Sequence, residues 1–285
     1  MHEIANHREV SDLIRRALEE DVGNGDASSM AIVDARDFCS GRIVSRGDYV
    51  VAGVPVAAAV FEALDSSVEV AIESGDGSRV PDGGVVATVS GPARAVLTGE
   101  RTALNFLQRM SGIATLTRSY VDRTAGCKAV ILDTRKTTPT LRLLEKYAVR
   151  CGGGVNHRMG LYDKIMLKDN HLAQWRGRNE GTLADMIHAA RNAYPDLEIE
   201  VEVESIEDLS SVIEAAPDWI LLDNMSVETM KKCVSLCAGR IRLEASGGVN
   251  LDTVAAIADT GVDAISVGAL THSAVAADFS LEFDS

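Results

Sequence analysis

Residues 133–171 read DTRKTTPTLRLLEKYAVRCGGGVNHRMGLYDKIMLKDNH, and this stretch decides the fold. The apolar run Val130-Ile131-Leu132 passes at once into Asp133-Thr134-Arg135-Lys136. The spacing then predicts a helix, with Thr138 as N-cap, Pro139 at the first helical position, and Leu141, Leu144 and Ala148 on one face. The glycines Gly152, Gly153 and Gly154 end that pattern before Asn156-His157-Arg158. A second short apolar run, Ile165-Met166-Leu167, stops on Lys168. Cations therefore recur where apolar elements finish.

Arg135, Lys136, His157, Arg158 and Lys168 in one pocket would repel each other unless an anion normally joins them. Arginine presents a planar fork that matches a carboxylate or phosphate two bonds at a time, and lysine acts as a point charge. The alternative is a solvated face, or local pairing with Asp133, Asp163 and Asp169. Placement at strand ends beside a glycine run favours the pocket.

Downstream, apolar runs at Lys164 to Leu167, Ile199 to Val203, Trp219 to Leu222, Ile241 to Ala245 and Asp263 to Val267 alternate with helical segments. Spacings of roughly 20 to 35 residues predict βα units and a parallel sheet. An open doubly wound sheet would fit, but charges closing strand after strand favour a barrel with its active face at the carboxyl ends. Glu200, Glu202 and Glu204 share one face of their strand by period two, unless that strand is a solvated edge. Asp223 closes the next strand. A glutamate and an aspartate on neighbouring strand ends suit a Mg²⁺ carrying a diphosphate. Ser246-Gly247-Gly248 and Val267-Gly268-Ala269 follow the last two strands, where small residues let backbone N–H groups approach a phosphate.

Upstream, Val10 to Glu20 reads as an amphipathic helix and residues 21–26 as a turn. Strands at Gly41 to Val44, Tyr49 to Ala52, Val68 to Glu73 and Val85 to Val89, with a helix over Pro55 to Leu64, predict a small sheet. The turn pattern over residues 73–91 also suits a biotin- or lipoate-carrying domain, but no lysine precedes Lys128, so no attachment site exists there. Near residue 97 a helix begins, with Thr98 as its cap and core residues Leu104, Leu107, Leu116 and Tyr120, interrupted near Ser111-Gly112.

A chain of 285 residues can bury a sizeable core, and its net charge of −14 argues against a nucleic-acid partner. The cysteines Cys39, Cys127, Cys151, Cys233 and Cys237 include no CxxC pair and read as reduced, cytoplasmic and mostly buried. His2, Glu3, Asn6 and Arg8 interrupt any early apolar run, and Tyr49 to Phe61 is too short to span a bilayer. A soluble, cytoplasmic protein is expected.

The strings DTRKT, EKYAVRCGGG, NHRMGLYD and KDNH resemble the quinolinate phosphoribosyltransferase family, as do TGERTALNFLQRMSGIATLT upstream and IEVEVES, LLDNM, EASGG and ISVGALTHS downstream. The resemblance covers almost the whole chain. It implies an incomplete α/β barrel at residues 111–269 and an N-terminal α/β sandwich domain at residues 1–110, with 270–285 returning to the latter. It implies transfer of phosphoribosyl from phosphoribosyl pyrophosphate to quinolinate with decarboxylation, a step of NAD biosynthesis, in a homodimer or dimer-based oligomer with a shared site. Arg135, Arg158, Lys168, His157 and Arg101 (the last from a neighbouring subunit) would hold the carboxylates. Lys136 would meet the leaving pyrophosphate, with Thr134 also at the substrate. Glu202 and Asp223 would hold Mg²⁺, Glu204 being second choice. Ser246, Gly247, Gly248, Val267, Gly268 and Ala269 would cradle phosphate. Val155 stands where the family carries a basic or small residue. Rival activities are nicotinate phosphoribosyltransferase, without decarboxylation, and a Schiff-base barrel aldolase using Lys168. More cations than one carboxylate needs speak against the first, and the charged surroundings of Lys168 against the second.

Overall fold

A computed structural model describes residues 4–179 and 181–283; His2, Glu3 and the last two residues of the expected returning segment lie outside them. In chain order come helices α1 (Arg8–Val22) and α2 (Ala27–Ile32), strands β1 (Phe38–Ser45) and β2 (Tyr49–Val50), and α3 (Val54–Leu64). Strands β3 (Glu69–Ile72), β4 (Arg79–Val80) and β5 (Val85–Pro92) lead into α4 (Ala93–Arg123). Next are β6 (Val130–Leu132), α5 (Arg142–Cys151), β7 (Ile165–Leu167), α6 (Asp169–Asn179), α7 (Leu183–Ala193) and β8 (Ile199–Val203). The chain continues with α8 (Ile206–Ile213), β9 (Trp219–Asp223), α9 (Val227–Cys237), β10 (Arg242–Ser246), α10 (Val254–Ala258), β11 (Ala264–Ser266), α11 (Ala269–His272) and β12 (Phe279–Phe283).

Contacts divide the chain into two compact units, Met1–Arg118 with Thr137–Gly153 and Leu270–Ser285, and Ser119–Lys136 with Gly154–Ala269. The first contains an antiparallel sheet in the order β12-β1-β5-β3. Strand β12 brings the C-terminal segment onto β1, Leu281 opposite Ile43. Its core joins Val10 and Ile14 of α1, Val60 and Phe61 of α3, and Leu104, Leu107 and Ile113 of α4. Relative to the expected cut at residue 110, this unit also takes in helix α5. Polar ties within the unit account for that: Arg109 pairs with the buried Glu145 at 2.7 Å, and the Tyr147 hydroxyl donates to Asp76 at 2.8 Å.

Two helix readings need correcting. Helix α4 begins at Ala93, places Thr98 in its interior and runs without a break through Ser111-Gly112. Those small residues serve close packing instead. Ser111 Oγ bonds to both the N–H and the carbonyl of Ala52, and a Cβ on Gly112 would lie 2.0 Å from the Val275 carbonyl oxygen. Helix α5 has Leu141, not Thr138, at its N-cap. Thr138 stays outside the helix, where its N–H and hydroxyl both donate to the Glu145 carboxylate, at 3.0 and 2.8 Å.

The second unit is built on six parallel strands in the order β6-β11-β10-β9-β8-β7. Among the described residues β6 and β7 do not pair, so the α/β barrel is incomplete. Beyond β6 the chain at Val155 adds one parallel bridge, its N–H donating to Ile131 O at 2.8 Å. Val155 thus contributes backbone to the sheet while its side chain is exposed, a position that constrains side-chain chemistry little. Strand interiors are buried on both faces, as helices covering a parallel sheet require. Of the cysteines, Cys233 and Cys237 are buried; Cys39, Cys127 and Cys151 are half-buried rather than buried, and all are free thiols. No helix among the described residues is long and apolar enough to cross a membrane.

Candidate active site

Each barrel strand of the second unit delivers a polar group at or near its carboxyl end. Strand β6 leads to Thr134, Arg135 and Lys136; the Val155 bridge leads to His157 and Arg158; β7 leads to Lys168. Strands β8, β9, β10 and β11 carry Glu202, Asp223, Ser246 and Ser266. These residues, with Met166, Leu221, Asn224, Glu244, Gly247 and Gly248, line one cavity of about 600 Å³. The arrangement follows from parallel βα topology, which collects the ends of non-adjacent segments on one face.

Local bonds fix this wall. The buried Asp133 carboxylate accepts the His157 N–H at 2.8 Å and the Asn156 side-chain amide at 2.6 Å, pinning the loop that carries Arg158. The Arg158 guanidinium donates to the Lys164 carbonyl at 3.1 Å and rests on Met166 Sδ at 3.5 Å. Burial first, and then the charge of Arg135, press the Arg158 pKa below its ordinary value. Arg135 Nε is buried without a hydrogen-bond partner. A buried guanidinium donor beside a second arginine has the chemistry to receive an anion.

At the carboxyl end of β7, Lys168 Nζ donates to Glu202 at 2.5 Å. Asp223 accepts the Asn224 side-chain amide at 2.8 Å. Gly247 has φ 94°, and a Cβ there would lie 2.2 Å from Asn224 Oδ1, so only glycine permits this close turn after β10. The carboxylates of Glu202 and Asp223 on adjacent strands are oxygen donors, suited to a hard divalent cation that keeps other positions for water and phosphate.

His157 and Glu244 of this lining also belong to a largely buried ionic cluster. His157 Nε2 lies 3.0 Å from Glu200 and 3.5 Å from Glu244, and Lys164 Nζ lies 3.2 Å from Glu200. Burial raises the Glu200 pKa, but His157 and Lys164 outweigh it and hold this carboxyl down at about 2. Burial pushes Glu244 the other way, and its neighbour Glu200 adds to that rise. At His157, burial lowers the pKa while the two acids raise it, to about 9 on balance. The Arg158 N–H, however, donates to His157 Nδ1 at 2.7 Å, which leaves that nitrogen no second proton. The hydrogen bond decides, and the ring is the tautomer protonated on Nε2. His157, Glu200 and Glu244 could by composition hold a metal, but Lys164 already supplies the cation.

Of the residues expected from sequence, Thr134, Arg135, Lys136, His157, Arg158, Lys168, Glu202, Asp223, Ser246, Gly247 and Gly248 share the cavity wall. Val267, Gly268 and Ala269 are not among its lining. The Val267 N–H is spent on the Leu132 carbonyl at 2.9 Å, joining β11 to β6. Arg101 belongs to the first unit and is exposed on α4, and Glu204 is exposed past the end of β8. Sequence reasoning missed Lys164, Met166, Asn224, Glu244 and Ser266, and left Glu200 without a role. Period two held a signal for Glu244, which sits two residues before Ser246 on the same face of β10.

Fold and site together define an incomplete α/β-barrel enzyme for anionic substrates, with a cationic pocket facing a carboxylate pair and a glycine turn. The descriptions "Quinolinate phosphoribosyl transferase, N-terminal domain" and "C-terminal domain" match residues 26–111 and 113–282. The chain belongs to the quinolinate phosphoribosyltransferase family. It is 45% identical over 277 residues to the nicotinate-nucleotide pyrophosphorylase [carboxylating] of Mycobacterium leprae, covering 95% of this chain and 96% of that one. Identity to the probable enzyme of that name from Bacillus subtilis is 42% over 278 residues, covering 97% and 94%. The solved nicotinate-nucleotide pyrophosphorylase from Francisella tularensis superposes with a TM-score of 0.91 at 36% identity, covering 100% of this chain and 97% of that one.

Proposed function

We infer that the chain transfers phosphoribosyl from phosphoribosyl pyrophosphate to quinolinate with loss of CO₂, giving nicotinate mononucleotide and pyrophosphate for NAD synthesis. The observation that carries this reading is the meeting of Arg135, Arg158 and Lys168 in one cavity with Glu202, Asp223 and the Gly247 turn.

The cationic wall binds the two carboxylates of the pyridine, and Arg135 and Arg158 set its orientation by bidentate contacts. The ring nitrogen already holds a lone pair and needs no base. That pair forms the bond to ribose C1 as the C1–O bond to pyrophosphate breaks, so catalysis is positioning and charge stabilisation. Lys136 faces the departing pyrophosphate. Glu202 and Asp223 would hold a Mg²⁺, which when bound supplies further charge neutralisation at the diphosphate. Loss of CO₂ from ring position two leaves an electron pair beside a nitrogen that is now cationic, and a proton then takes that pair.

Arg101, exposed on α4, is the residue this reading gives to the site of a second subunit in a homodimer. The free thiols suit a cytoplasmic location. Against a Schiff-base aldolase stands the engagement of Lys168 with Glu202, since an amine donating to a carboxylate is a poor nucleophile. The test is turnover with phosphoribosyl pyrophosphate, Mg²⁺ and either quinolinate or nicotinate. Pyrophosphate and CO₂ from quinolinate alone are expected; consumption of nicotinate without CO₂ would favour the nearest rival.

A further inference from the structure

We propose that Glu200 is a positioning residue of this site, holding Arg158 in its binding pose through His157 and Lys164; this rests on Arg158 being a ligand of the substrate carboxylates. Glu200 is wholly buried on β8 and is not part of the cavity lining. One of its oxygens, Oε2, is 3.0 Å from His157 Nε2 and 3.2 Å from Lys164 Nζ. Those two partners grip Arg158 at different points. His157 Nδ1 accepts the Arg158 backbone N–H at 2.7 Å, and the Lys164 carbonyl accepts from the Arg158 guanidinium at 3.1 Å. A single carboxylate thus anchors both residues that hold the arginine, one at its backbone and one at its fork.

The direction of the imidazole matters in this chain. Nδ1 can accept the Arg158 N–H only while the ring proton is on Nε2, and Nε2 faces Glu200 and, at 3.5 Å, Glu244. Lys164 is fixed on a second side as well, its Nζ lying 4.8 Å above the Trp219 ring. Arg158 needs such anchoring because Arg135 lies in the same cavity and repels it. A guanidinium held in place before the substrate arrives avoids the rotamer entropy that a free one would lose on binding. A buried carboxylate is a costly way to achieve packing alone, which points to the placement its close contacts with His157 and Lys164 enforce.

The experiment is a double-mutant cycle on the full chain, read as KM for quinolinate and KM for phosphoribosyl pyrophosphate. Glu200→Gln is expected to raise the quinolinate KM on the order of tenfold while the other KM moves by less than about twofold. Combined with Arg158→Ala, Glu200→Gln should add nothing further to the quinolinate KM, because its route to the substrate is already gone. If Glu200→Gln does not fold, the paired Glu200→Met/Lys164→Met variant removes both buried charges together and carries the same cycle. Equal rises in both KM values, or additive effects with Arg158→Ala, would overturn the positioning role. A wild-type enzyme that turns over quinolinate while the cycle is additive rejects this role alone; one that leaves quinolinate unconsumed rejects the functional reading and the role with it.

Discussion

Replacing Arg158 by Ala removes a guanidinium that lines the cavity and is already oriented by the Lys164 carbonyl at 3.1 Å. A hydrogen bond to a charged partner contributes about 1.5–3 kcal/mol. At about 1.4 kcal/mol per decade, that is a loss of roughly ten- to 150-fold in quinolinate affinity. Two features of the structure place the result in the lower part of that range. Truncation relieves the repulsion between Arg158 and Arg135, and Lys168 remains to meet the dianion. A dissociation constant raised about ten- to thirtyfold is therefore expected by isothermal titration with quinolinate. Affinity for phosphoribosyl pyrophosphate in the same titration should stay within about twofold, since the groups assigned to it are Lys136, the carboxylates on β8 and β9, and the β10 turn, and Arg158 is not among them. Unchanged quinolinate affinity, or an equal loss for both substrates, would refute this use of the cationic wall.

Glu202→Gln weakens the hold on Lys168, whose side chain is 41% exposed, so quinolinate binding without the second substrate should tighten by up to about fivefold while turnover falls; weaker binding by titration would count against it. Chelating divalent metal should abolish turnover and leave quinolinate binding intact, and turnover persisting in excess chelator would remove Mg²⁺ from the account. Gly112→Ala forces a methyl against the Val275 carbonyl and should cost on the order of 1–3 kcal/mol in urea melts; an unchanged midpoint would contradict the packing described for α4. Burial raises the Cys151 thiol to about 12, so the thiolate is scarce at pH 8 and its alkylation should be slow in the folded protein, with mass mapping as the check.

Much of the barrel was legible because its strands are short apolar runs, four of them closed by a charge and the last two by a serine or glycine turn, and the expected strands agree with β6 to β11 to within a residue or two. Candidate site residues were legible for the same reason, since a charge at a strand end needs an explanation that a surface charge does not. Helix boundaries were less legible. Ser111-Gly112 looks like a break until the partners Ala52 and Val275 are known, and both come from distant sequence. The Thr138-Pro139 pair looks like a helix start, but the competing bonds from Thr138 to Glu145 leave it just outside the helix. The ionic cluster was hidden because alternation gives the side of a strand, not its depth. Glu200, Glu202 and Glu204 follow one period, yet they are respectively buried, half-buried and exposed. Val267 shows the converse: a small-residue turn after a strand suggested phosphate binding, and the structure adds that its N–H is spent on the sheet.

A crystal structure of the full chain with quinolinate bound tests the central claim most directly. Both carboxylates of the ligand should contact the guanidinium and ammonium groups of Arg135, Arg158 and Lys168, with the ring nitrogen turned toward Glu202 and Asp223. Quinolinate bound with its carboxylates in solvent, or outside this cavity, would contradict the account.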